Sequence, residues 1–157
     1  ITDSLEVLTT VWGAYGDEEK FAVAGGDYNN SVMDAPGKFD VTDAVTLDTM
    51  LGVPEDGAAL IDDAASIMHM MNANTMTVAA YHVVEGTNMD NLAEVVTTSV
   101  MGTQWMCGFP DTLIIYTVAD EYVVAAFGNA EAIESFKTKL ATVYGESATL
   151  NVEESLA

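Results

Sequence analysis

Residues 62–84 read DDAASIMHMMNANTMTVAAYHVV, and two apolar runs within them, 64–71 and 76–84, flank the polar quartet Asn72-Ala73-Asn74-Thr75. Such a quartet reverses a chain, because asparagine side chains bond to the turn's own backbone and tolerate left-handed conformations. The two runs are therefore expected to be paired strands. A turn at 72–75 would set Met71 opposite Met76 and His69 opposite Val78. The stretch also holds both histidines and four of the nine methionines.

Downstream, strand-like and helical patterns alternate. Asn88 can cap a helix running to about Met101, with Met89, Leu92, Val96 and Val100 on one stripe. The runs 112–118 and 122–127 are rich in valine, isoleucine and tyrosine around Ala119-Asp120-Glu121, the pattern of a β-hairpin. Asn129 then caps a helix whose stripe is Ile133, Phe136, Leu140 and Val143 and which stops at Gly145, and 148–152 can return as a strand. The succession from Met76 is strand, helix, strand, strand, helix, strand. It predicts an α+β fold with a ferredoxin-like antiparallel sheet and two helices packed on it.

Upstream, Asp3-Ser4-Leu5-Glu6 caps a helix over 3–15, with Leu5, Leu8, Val11, Trp12 and Tyr15 at helical spacing. Residues 20–24 can form a short strand, 25–41 read as loop, and 43–51 as a short helix closed by Gly52 and Pro54. One domain over 1–157 is expected, in which 1–57 is a helical and loop extension covering an end or an edge, and 58–157 is the α+β core with 64–71 as an added strand.

Composition narrows the functions open to it. Twenty-five acidic residues face four lysines and no arginine, for a net charge of −21. A surface so anionic repels phosphate backbones and lacks the side chain best suited to grip them, so nucleic acid is excluded as a partner. The single cysteine, Cys107, rules out an internal disulfide. No run approaches the roughly 18 apolar residues of a membrane span.

Motifs for chemistry are few. Met68-His69-Met70-Met71, with Met76 and His82, offers thioether and imidazole ligands that suit Cu(I). Neighbouring strand residues point to opposite faces, however, and His82 would lie about 13 Å along from His69, too far to share an ion. Core packing is the simpler reading of these methionines, so no metal and no cofactor is expected beyond weak calcium binding to the acidic surface. Cys107 could serve as a thiol nucleophile only if His69 or His82 came near it. The stretch Asp27-Tyr28-Asn29-Asn30-Ser31 starts like a calcium loop, but Val32 and Lys38 stand where the EF-hand needs glycine and glutamate. No nucleophile-elbow, zincin or P-loop pattern occurs.

Leu51-Gly52-Val53-Pro54-Glu55-Asp56, the 65–72 run ending in Met-Met-Asn, and the strand, helix, hairpin and helix that follow together resemble an uncharacterised family of small predicted lipoproteins from Gram-positive gut anaerobes. The likeness covers about 50–145. It implies an extracytoplasmic domain at the cell surface, with membrane contact only through a lipid anchor that this chain does not contain. It implies no activity.

The expectation is thus a non-enzymatic binding or scaffolding domain whose partner is a protein or small-molecule ligand of unknown identity. Loops on a rigid sheet are the common place for recognition, which singles out Met71, Asn72 and Asn74 in one loop and Trp105 and Phe109 in another. The alternatives are a small hydrolase or thiol enzyme using Cys107 with a histidine, and a copper-binding protein using His69 and the methionines.

Overall fold

The paired runs form the hairpin that the whole sheet is laid against. In the computed structural model, which describes residues 1–27, 29–70, 75–102 and 110–155, β1 to β3 are Val23–Gly25, Val32–Met33 and Gly37–Phe39, and β4 and β5 are Ile61–His69 and Met76–Val83. The last three strands are β6 (Thr112–Val118), β7 (Tyr122–Gly128) and β8 (Ala148–Ser155). The helices are α1 (Ser4–Gly13), α2 (Ala44–Thr46), α3 (Glu55–Ala58), α4 (Met89–Met101) and α5 (Ala130–Tyr144). Every described strand pairing is antiparallel, in the order β2-β1-β4-β5-β7-β6-β8, with β3 beside β1 on the same edge of β4.

The register of the first hairpin differs from expectation by two residues. Ile67 pairs with Val78 and Met68 with Thr77, so the alignment places His69 level with Met76 rather than with Val78. A two-residue shift leaves each side chain on its face, because the side-chain period is two. It moves His82 to about 20 Å from His69 along the strands, farther than expected.

The ferredoxin-like arrangement is not what forms. That arrangement needs the last strand beside β5 and both helices on one face. β5 already has β4 on that edge, so β8 goes to the far side and pairs with β6. The two crossovers, β5-α4-β6 and β7-α5-β8, consequently step the same way along the sheet from strands of opposite direction. Right-handed connections then carry their helices to opposite faces. The cores show this: Ile133, Phe136 and Leu140 of α5 pack with Ile114, Tyr116 and Val124, whereas Leu92, Val96 and Val100 of α4 pack with Leu113, Ile115 and Val123.

The amino-terminal residues are more than an extension. Val7, Leu8, Val11 and Trp12 of α1 are buried in the same core as α5. On the α4 face, Leu47, Leu51 and Val53 fill the space that one helix cannot cover. They come from an irregular path, in which Asp43 caps α2, the chain widens into a π-helical turn at Leu47–Leu51, and Gly52 closes it at φ 74°. The expected loop over 25–41 contains β2 and β3, and α3 begins directly after Pro54, where a helix end alone was expected. The three long helices start on side-chain caps: Asp3 accepts from the Glu6 N–H, Asn88 from Asp90 and Asn129 from Ala132.

Candidate functional site

Three strands are level at one end of the sheet. Met76 pairs with Gly128, and Gly128 with Thr112. The backbones close tightly here, since a Cβ on Gly128 would overlap the Thr75 carbonyl. The Asn129 N–H donates to that carbonyl at 2.9 Å, and the Asp111 N–H donates to the Gly128 carbonyl at 2.7 Å. Asp111 Oδ2 in turn accepts from the Ala130 N–H. Thr75 and Asp111, which flank the two loops singled out for recognition, are thus both fastened to Gly128-Asn129. Met71, Asn72, Asn74, Trp105, Phe109 and Cys107 themselves lie outside the described residues.

Beside this end is a cleft of about 300 Å³ whose walls include Met50, Met68, Met70, Ala24, Gly26 and Asp27. Met68 belongs to β4, Met70 continues its ladder through an N–H bond to the Ala22 carbonyl, and Met50 comes from the π-helical turn. Asp27 shapes the cleft's far wall. Its carboxylate is buried and accepts from the backbone N–H groups of Asn29, Asn30 and Asp40 and from the Asn30 side chain. Burial pushes this carboxyl up, but those hydrogen bonds outweigh it and hold the group below the ordinary carboxylate range. The failed calcium loop is therefore a self-satisfied turn. Met50 was not visible as a neighbour of the 68–71 cluster from sequence, because only the tertiary path of 44–51 brings it there.

At the opposite end of the sheet His82 Nδ1 lies 2.5 Å from Asp62 Oδ1. The pairing slips between Ile61 and Asp63, so Asp62 is an extra residue in the ladder and reaches His82. Asp63 instead accepts from the Ser4 N–H at 2.8 Å and from Lys38 at 3.1 Å. Lys38 also meets Asp3 at 2.9 Å, and its hydrogen bond is the main reason the Asp3 carboxyl is lowered. The adjacent aspartates, indistinguishable in a chain with so many acids, thus have different duties. Tyr122 stands edge-on to His82 at 5.1 Å, and Glu85, Thr87, Asp120 and Glu121 line a groove of about 440 Å³ beside it. A carboxylate on Nδ1 orients an imidazole and leaves Nε2 to exchange protons.

His69 has a different setting. Its ring stacks on Phe21 at 5.1 Å and an interplanar angle of 24°, so it and His82 are not brought together.

No family model, curated protein or solved structure matches the chain. Among the described residues, no three His, Cys, Asp or Glu side chains converge as a metal site, and no helix is long and apolar enough to cross a membrane.

Proposed function

We propose that the chain is a non-enzymatic binding or scaffolding module that meets its ligand at the Thr75, Asp111 and Gly128 end of the sheet. The observation that supports this reading is the shared anchorage of Thr75 and Asp111 on Gly128-Asn129, which makes one rigid corner the base of both candidate recognition loops. An extracytoplasmic, surface-tethered position follows from the family resemblance, and the ligand is then a protein or small molecule met there. The test is retention of the pure chain on immobilised cell-envelope polymers, compared with variants Asn72→Ala, Asn74→Ala and Trp105→Ala of unchanged melting temperature. Retention lost in the variants supports the reading; equal retention by all of them sinks it.

The His82 and Asp62 pair favours a second reading, a small hydrolase in which His82 is the acid–base group over the groove beside it. Hydrolysis of p-nitrophenyl acetate at neutral pH separates the two. The binding reading expects the same rate in the wild type and in His82→Ala; a wild type faster by about tenfold or more would favour the enzyme, because only a positioned acid–base group exceeds the background.

A further inference from the structure

We propose that Met50, Met68 and Met70 form a binding site for one soft monovalent cation, Cu(I), with Ag(I) as its redox-silent substitute. Thioethers are soft neutral ligands that select Cu(I) over zinc, calcium or magnesium. The site goes beyond the loop-binding reading and does not depend on it.

The fold gathers these sulfurs. Met68 and Met70 are two residues apart at the end of β4, so their side chains leave the same face about 6.7 Å apart. That face is the α4 side, because Met68 shares its cross-strand row with Thr77 and Phe127, and Phe127 belongs to the core beneath α4. Met50 lines the same cleft, and three rotatable bonds in each side chain let the sulfurs adapt to a shared ion. Met50 also sits in a π-helical turn, a geometry frequent at functional sites.

Met50 lies against the core beneath α4, but Met68 and Met70 belong to neither core cluster, so packing alone does not account for the trio. Methionine used as a gap filler is enclosed, yet Met70 is 39% exposed and Met50 and Met68 are only partly buried around an open cleft. Hard ions find little there, since the nearby Asp27 carboxylate is committed to Asn29, Asn30 and Asp40. The carboxylate charge and the overall −21 still draw a cation toward the sulfurs. The ligand set is not the one that the sequence pattern offered. His69 also borders the cleft, but its ring stacks on Phe21, on the face opposite to Met68 and Met70, and Met50 takes its place among the ligands.

The experiment uses the full metal-free chain carrying Cys107→Ser, so that the thiol cannot take the metal. Ag(I), and Cu(I) under anaerobic conditions in competition with bicinchoninate, are titrated while the methyl resonances of 13C-methyl methionine are followed. One equivalent should bind at about micromolar Kd or tighter, and the Met50, Met68 and Met70 methyls should shift while Met89 and Met101 stay in place. Leucine keeps the volume and removes the sulfur, so Met68→Leu should weaken binding about tenfold and the triple leucine variant about a hundredfold or more. Zinc and calcium should move none of the three methyls. The site is overturned by no binding in the Cys107→Ser chain, by shifts at methionines other than these three alone, or by an affinity that the triple substitution leaves unchanged.

Discussion

On one face of the sheet, two uninterrupted helices, α1 and α5, lie over strands carrying Ile114, Tyr116 and Tyr122. On the other, α4 shares the work with α2, a π-helical turn and α3, all within residues 44–58. The first face is built from periodic apolar stripes with capped starts, and it places aromatic rings in a cluster: Trp12, Tyr15 and Phe21 meet with centroids 4.8 to 6.5 Å apart. The second is mostly aliphatic, closed by single residues such as Leu47, Leu51 and Val53 that arrive from short segments. The continuous helices make a smooth cover, whereas the pieced cover leaves openings, and the methionine cleft is one of them.

The sharpest break of this comparison is to empty each face in turn. Phe136 is 3% exposed and central to α5, and Phe136→Ala should cost about 3–5 kcal/mol in denaturant unfolding. Leu92→Ala on α4 should cost about 2–5 kcal/mol, and because the sheet separates the two sites the double variant should be additive within about 0.5 kcal/mol. A larger coupling would mean that the faces are one core. A loss below about 1 kcal/mol for Phe136→Ala would mean that α5 presents a different side to the sheet.

A smaller effect is confined to the pieced side. Asp27→Asn sets an amide where three backbone N–H groups need acceptors, and it should cost about 1.5–3 kcal/mol near pH 7. The Asp27 carboxyl lies below its ordinary range in the folded chain. Its contribution is therefore complete above about pH 4, where the unfolded group is also ionised, and it fades as pH falls through the lower folded value. The gap between wild type and Asp27→Asn should accordingly narrow below about pH 4. A gap that is constant from about pH 3 to 7 would show that the carboxylate's charge plays no part in the turn.

Legibility in the sequence divides along the same line. The caps Asp3, Asn88 and Asn129 and the stripes after them are local signals, and the helices they predict are present. The 112–118 and 122–127 runs form the expected antiparallel hairpin for the same reason. What was not legible is which edge of β5 the added strand would take. That choice is a competition between β4 and β8 for one row of backbone groups, and β4, a hairpin neighbour with a short loop to close, takes it. The opposite placement of α4 and α5 follows from this non-local outcome, and no stripe in either helix records it. At the sites, the Asp62 contact with His82 depends on a one-residue slip in the ladder, and Met50 depends on the path of 44–51. Met71, Asn72, Asn74, Trp105 and Phe109, expected from sequence to be loop residues, lie outside the described residues, and the structure bears only on those flanking them.

The smallest expected effect has the opposite sign. Tyr81, on β5, is fully buried beneath α4 among aliphatic neighbours, with Ala64 and Val123 beside it in the sheet. Among the described residues its hydroxyl has no hydrogen-bond partner, and burial pushes the pKa of that hydroxyl upward. A buried hydroxyl without a partner costs its desolvation, whereas the ring alone would keep the packing. Tyr81→Phe should therefore stabilise the chain by about 0.5–1 kcal/mol, with an unchanged denaturant slope. The gain is bounded by the one polar atom removed, so it cannot rival the loss at Phe136. A loss above about 1 kcal/mol would mean that the hydroxyl is satisfied in solution, by a trapped water or by a group outside the described residues. The aliphatic face would then hold a polar contact at its centre, and the contrast between the two faces would rest on the form of their covers and not on what lies inside them.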